Sequence, residues 1–142
     1  LVGGLGVDAM HSLSLLNKGD LEKSLNYKFG KRNLLITLHP ETLEKKQTSK
    51  DQIIELLSAL EEVKDTKFIF TIESVDYENE MLRITPTKIA GAHDNIKESN
   101  FIIGNSSAGI REAPYYNIPT INIGSRQSNR SSLSSIINVS HK

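Results

Sequence analysis

Apolar residues along this chain fall into two patterns. Some form short continuous runs: Asn33-Leu34-Leu35-Ile36-Thr37-Leu38, Lys67-Phe68-Ile69-Phe70-Thr71, Asn100 to Gly104, and Pro119 to Ile123. Runs of four to six residues bounded by turn formers read as strands buried on both faces. Between them, apolar positions recur every three or four residues, as one helix face requires. Met10, Leu13 and Leu16 predict a helix capped by Asp8, and Asn17-Lys18-Gly19 stops it before Asp20 opens a second through Leu21 and Leu25. Ser49-Lys50-Asp51-Gln52 matches a capping box ahead of a helix whose face carries Ile53, Ile54, Leu57, Leu60 and Val63. Leu1-Val2 reads as the end of a strand turning at Gly3-Gly4-Leu5-Gly6. Met81 to Ile84 fits strand or helix, Asp94 to Ser99 a helical turn, and the Ser-rich tail at 131–137 a helix. Strands alternating with helices predict an α/β fold, a Rossmann-like parallel sheet with helices on both faces.

Size and composition narrow the picture. The 142 residues suit a single domain spanning 1–142, with no internal repeat and no dividing linker. A hydrophobic fraction of 37 % is modest for an α/β core, yet it argues against disorder. Seventeen basic residues balance seventeen acidic ones, so no bulk field favours nucleic acid or an anionic membrane, and any anion site must be local. Cysteine is absent, which removes disulfides and thiolate metal sites and is compatible with a cytoplasmic location. No apolar run approaches the roughly 20 residues of a membrane span. The opening at Leu1-Val2-Gly3-Gly4, without an initiator methionine, reads as an internal start within a longer protein.

In a parallel α/β sheet, ligands bind beyond the carboxyl ends of the strands. Three such ends lie on one edge here: Leu38-His39-Pro40, Gly104-Asn105-Ser106-Ser107, and Gly124-Ser125-Arg126-Gln127. The second offers hydroxyls and the N–H groups of a helix start, which attract phosphate without net charge. The third offers a guanidinium, able to grip phosphate oxygens through paired hydrogen bonds. Glu112, about one and a half helical turns past Ser107, could accept both hydroxyls of a ribose. Each residue also has a plainer reading. Ser106 or Ser107 could cap a helix, Arg126 and Glu112 could lie on solvated faces, and His39 before a proline could be a turn residue. What favours chemistry is their shared edge. No clustered carboxylates suggest Mg²⁺, and no metal or cofactor is expected.

The same residues carry a family resemblance. Gly104-Asn105-Ser106-Ser107-Ala108-Gly109-Ile110-Arg111-Glu112-Ala113-Pro114, then Pro119-Thr120-Ile121-Asn122-Ile123-Gly124-Ser125-Arg126-Gln127 and Arg130, resembles the carboxyl-terminal half of UDP-N-acetylglucosamine 2-epimerases. The likeness is greatest to the hydrolysing branch of sialic acid biosynthesis. It extends to Gly3-Gly4-Leu5-Gly6-Val7-Asp8 and to Leu35-Ile36-Thr37-Leu38-His39-Pro40-Glu41-Thr42. The resemblance implies the nucleotide-binding half of a glycosyltransferase-B-type clamshell that binds UDP-N-acetylglucosamine or UDP, in a cytoplasmic homo-oligomer. Ser106 and Ser107 would then bind the diphosphate, Glu112 the ribose hydroxyls and Arg126 the phosphates. His39 would be catalytic beside the reacting sugar, with Gly3 and Asp8 close to the substrate.

Three departures from the family pattern stand out. Ser74 stands where an asparagine is usual after the third strand, Asn129 where a glycine is usual, and residues 72–100 are short for a helix–strand–helix. Asparagine tolerates positive φ better than other non-glycine residues, so the turn at 129 should survive. The alternatives are a non-hydrolysing or modified-sugar epimerase, a clamshell glycosyltransferase donor domain, or a degenerate nucleotide-binding module. In the hydrolysing family the acid–base carboxylates belong to the other half of the clamshell. The 142-residue chain by itself should therefore bind UDP weakly and turn over no nucleotide sugar. Release of free sugar by this chain alone would contradict that expectation.

Overall fold

The computed structural model describes residues 5–39, 49–71, 92–130 and 133–140. Helices α1 (Leu5–Ser12) and α2 (Lys18–Leu25) precede β1 (Asn33–Thr37), α3 (Ser49–Glu61) and β2 (Lys67–Phe70). Then come α4 (Ala92–Lys97), β3 (Phe101–Gly104), α5 (Ser107–Arg111), a 3-10 turn (Ala113–Tyr116), β4 (Thr120–Ile123) and β5 (Ile136–Val139). The five strands form one sheet in the order β2-β1-β3-β4-β5, and every pairing is parallel.

Burial on both faces explains the continuous apolar run of β1, all five of whose residues are buried. Successive side chains point to opposite faces, so Leu35 meets Ile69, Ile102, Leu21, Leu25, Phe29 and Ile96 on one side. Leu34 and Ile36 meet Leu60, Leu56, Phe68 and Phe70 on the other. Helices α2 and α4 thus cover one face and α3 the opposite one, the α/β arrangement expected from the sequence.

Strand order fixes where a ligand crevice can open. From β1 the chain passes to β2 on one side, whereas β3, on the other side of β1, leads outward to β4 and β5. Connections leaving neighbouring strands in opposite senses create the crevice in which open α/β sheets bind ligands. That switch point lies between the carboxyl ends of β1 and β3, beside His39 and Asn105.

Several local expectations need correction. The tail is a strand at Ile136–Val139, pairing with β4, because Ile136-Ile137-Asn138-Val139 supplies β-branched residues that outweigh the serines before it. Asp8 lies inside α1, which begins at Leu5, so it is not the cap. Helix α1 ends at Ser12, leaving Leu13 and Leu16 beyond it and exposed, while Met10 is buried. Asn17 starts α2 instead of stopping α1: its side chain accepts from the Asp20 amide at 3.0 Å, so Lys18 and Gly19 are helical. In α3, Ser49 is already helical and Gln52 is buried, its amide paired with no described residue, so the reciprocal cap does not form. Leu60 faces the core, but Ile54 and Val63 are exposed. The readings at 1–4, Met81–Ile84 and Ser74, and the shortness of 72–100, fall wholly or largely outside the described residues.

Two glycines fix the seat of α5. Gly104 has φ +143°, and a Cβ there would lie 2.0 Å from the Thr37 carbonyl oxygen on β1. Gly109 faces β4 so closely that a Cβ would meet Thr120 Cγ2 at 2.6 Å, while Thr120 Oγ1 donates to the Gly109 carbonyl at 2.9 Å. Gly104→Ala should therefore cost at least about 2 kcal/mol in urea unfolding, since both backbone strain and a backbone clash oppose it. Gly109→Ala should cost about 1–3 kcal/mol through overpacking. Adding Thr120→Ser, which keeps the hydroxyl and removes the methyl, should recover most of that loss. Unchanged stability in either glycine variant would contradict this account of the seat.

Candidate functional site

Asn105 sits at the end of β3, fully buried, with its polar groups committed across the switch point. Its backbone N–H donates to the Thr37 carbonyl at 3.1 Å. Beyond Thr37 the β1–β3 ladder ends, and the Asn105 side chain takes over the pairing. Its Oδ1 accepts from the His39 amide at 2.6 Å and its Nδ2 donates to the His39 carbonyl at 2.8 Å. The Asn105 carbonyl in turn accepts from Gln127 Nε2 at 2.7 Å and from Arg126 Nη1 at 3.4 Å. One residue thereby joins the ends of β1, β3 and β4.

Immediately after it, Ser106 adopts an extended conformation and caps α5, its Oγ accepting from the Ala108 amide at 3.3 Å. The plainer reading of this serine thus holds, though a capping hydroxyl keeps its own proton to donate. Ser107 opens the helix and is half-buried. Helix α5 has only five residues, so any attraction for anions comes from its first amides more than from a long macrodipole.

Glu112 closes α5 and leads into the 3-10 turn, where its backbone N–H donates to the Ala108 carbonyl at 3.0 Å. Its Oε2 is buried without a hydrogen-bond partner among the described residues. A carboxylate oxygen in that condition carries a desolvation cost unless a donor arrives from outside. Ser107 and Glu112 are separated by roughly 7 Å of helical rise.

Arg126 lies in the turn after β4. That turn requires left-handed backbone twice, at Gly124 (φ +75°) and at Asn129 (φ +68°), so asparagine does substitute for glycine there as its tolerance of positive φ suggested. A cleft of about 280 Å³ opens between this turn, α5 and β5, lined in part by Ile110, Asn122, Gln127, Arg130 and Asn138. Gln127 belongs to both places. Its Nε2 reaches Asn105, while its Oε1 has no partner among the described residues.

Among the residues singled out from the sequence, His39, Ser106, Ser107 and Arg126 thus gather around Asn105, and Glu112 closes the same short helix. Asp8 is exposed on α1. One turn further along that helix, His11 packs edge-on against Tyr115, the ring centroids 5.1 Å apart, with Nδ1 3.2 Å from the phenol oxygen. This contact seats α1 beside the 3-10 turn, but no hydrogen bond joins Asp8 to the Asn105 network among the described residues. Gly3 lies outside the described residues. The sequence reading assigned no part to Asn105 or Gln127. The only available signal was that both lie within the motifs, directly beside Ser106 and Arg126. No helix among the described residues is long and apolar enough to cross a membrane.

Comparison with known proteins gives the family. A sequence model of the family described as UDP-N-acetylglucosamine 2-epimerase matches residues 1–142. A protein of Campylobacter jejuni subsp. jejuni named GDP/UDP-N,N'-diacetylbacillosamine 2-epimerase (hydrolyzing) is 38 % identical across 96 % of this chain and 39 % of its own length. The polysialic acid biosynthesis protein P7 of Escherichia coli is 36 % identical over 97 % of the chain and 39 % of its own. A UDP-N-acetylglucosamine 2-epimerase of Neisseria meningitidis serogroup B is 53 % identical, but over 33 % of the chain and 12 % of its own length. The chain thus spans about two fifths of the first two relatives. The family model covers its whole length, and this chain belongs to the UDP-N-acetylglucosamine 2-epimerase family.

Proposed function

We propose that this chain is the UDP-binding half of a hydrolysing nucleotide-sugar 2-epimerase, working in the whole protein on UDP-N-acetylglucosamine to give N-acetylmannosamine and UDP. The observation that carries the reading is the convergence of His39, the α5 tip and Arg126 on Asn105 at the switch point. In this reading the diphosphate rests against Ser106, Ser107 and the first amides of α5, with Arg126 across the crevice. The ribose hydroxyls donate to Glu112, whose buried Oε2 has no partner among the described residues. Gly3 and Asp8 belong to the same proposal as substrate contacts. It also includes a single nucleotide-binding domain over 1–142, a cytoplasmic location and a homo-oligomeric whole protein.

The chemistry follows from where charge moves. A base, expected on the other half of the clamshell, removes the proton at C2 of the sugar. The electrons of that C–H bond form a C1–C2 double bond as the C1–O bond breaks, and UDP departs with the bonding pair. Water then adds across the double bond: hydroxyl to C1, and a proton to C2 from the opposite face. Negative charge grows on the diphosphate as C1–O lengthens. Donors already aimed at those oxygens lower the barrier, one well-placed donor by about 3 kcal/mol. His39, fixed at the end of β1, faces the reacting sugar in this arrangement and acts as the catalytic residue of this half. The cation and amides of this chain meet the phosphate charge, so the step as drawn needs no metal.

A second reading concerns the sugar. The C. jejuni relative is named for a diacetylated sugar with GDP or UDP, and 96 % of this chain is similar to it. That similarity favours a modified nucleotide sugar as the alternative substrate.

Calorimetry of the protein with UDP, UMP and uridine tests the binding site. Affinity should climb with each phosphate and fall about tenfold in Glu112→Ala and in Arg126→Ala, as loss of a charged hydrogen bond implies. Equal affinities for UDP and uridine would overturn the reading. Product analysis of the whole protein separates the two sugars, and free sugar plus UDP distinguishes hydrolysis from simple epimerisation.

A further inference from the structure

We infer that Asn105 is the positioning residue of this site, setting the His39 ring and the Arg126 guanidinium in one fixed register across the crevice. The inference rests on the function proposed above and adds a role that the reading does not require. A buried asparagine that only filled space or capped a helix would spend its amide locally. The cap of α5 is the work of Ser106, and the Asn105 amide reaches instead across to the backbone of His39, 66 positions earlier. The two bonds, 2.6 Å and 2.8 Å, run in opposite directions between the same two residues, so they define both the distance and the tilt of the His39 backbone, on which its ring is carried. On the other side of the crevice, the Asn105 carbonyl receives Arg126 Nη1 and Gln127 Nε2.

The consequence is mechanistic. Departure of UDP requires that the group beside the sugar ring and the cation beside the phosphates act on one substrate at once. A displacement of about 1 Å in either can cost roughly a hundredfold in rate. Because Asn105 is fully buried, water cannot replace a bond that it loses, so its register is held until the residue is changed.

Asn105→Asp tests this with almost no change of shape. The new carboxylate still accepts from the His39 amide, but its second oxygen confronts the His39 carbonyl in place of a donor. In the whole protein, kcat should fall at least about tenfold while the Kd for UDP changes less than about threefold, since the Arg126 arm uses the unaltered backbone carbonyl. The deficit should shrink as pH is lowered from about 8 to about 5, because a protonated carboxyl regains a donor; burial raises its pKa, while the Arg126 guanidinium on the neighbouring turn lowers it. In a His39→Ala background the same change should cost less than about threefold, as expected for a residue acting through His39. An equal loss with and without His39, or a loss of kcat and UDP affinity together, would mark a merely structural role and overturn the inference.

If Asn105→Asp does not fold, Gln127→Ala serves through the other arm. UDP affinity should then fall about threefold or more in the wild-type background and less than about twofold in Arg126→Ala. Equal losses in both backgrounds overturn the inference. A wild-type protein that neither binds nor releases UDP ends the functional reading and this inference with it. An active wild type that tolerates Asn105→Asp ends this inference alone.

Discussion

Everything near the switch point depends on one hydrogen-bonded residue at the end of the central ladder. β1 and β3 pair as far as Thr37 and Gly104, and the Asn105 N–H still donates to the Thr37 carbonyl at 3.1 Å. The Asn105 side chain continues the pairing by imitating a peptide group, with one acceptor and one donor facing the His39 backbone. Gly104 makes this possible. Its φ of +143° and its contact with the Thr37 carbonyl leave no room for a Cβ, so a side chain there would push β3 away from β1. An amide in this position is secure because it is buried and bonded through both its oxygen and its nitrogen. It would be costly if only half satisfied.

From that anchor the rest of the site inherits its geometry. Ser106 and Ser107 follow Asn105 directly and start α5 against β4, where Gly109 and Thr120 touch without space to spare. The carboxyl end of β4 is drawn to the same carbonyl through Gln127 and Arg126. A helix of five residues has little stability of its own. Its position is set by its cap, its glycine contact and the 3-10 turn that continues it. The proposed phosphate contacts are therefore held by a rigid surround, which is what charge stabilisation without reorganisation demands.

Much of this was legible in the chain before any coordinates. Continuous apolar runs such as Leu34-Leu35-Ile36 announce buried parallel strands, and their order along the chain places the motifs on one edge. What could not be read is informative. Asn17 has the composition of either a helix stop or a helix start, and only the Asp20 amide decides between them. The β5 strand was hidden by serines at 131–135, although pairing with β4 outweighs their turn preference. Ile54 and Val63 match the period of a core face, but Leu56, Leu60 and Gln52 set the actual one. The most consequential omission is Asn105 itself. A contact spanning 66 positions leaves no local pattern, and an asparagine between a glycine and two serines reads as a turn residue. Family resemblance brought attention to its neighbours, whereas its own role emerges from three-dimensional pairing.

In the proposed function a nucleoside diphosphate lies against the amino end of α5 with Arg126 opposite. An amide-resolved ¹H–¹⁵N titration with UDP addresses it most directly, with uridine as the phosphate-free control. UDP should shift the Ser107 and Ala108 amides and the Arg126 guanidinium most strongly, and uridine should leave them nearly unmoved. Perturbations gathered in the cleft lined by Asn122 and Asn138, with Ser107 and Arg126 silent, would contradict it.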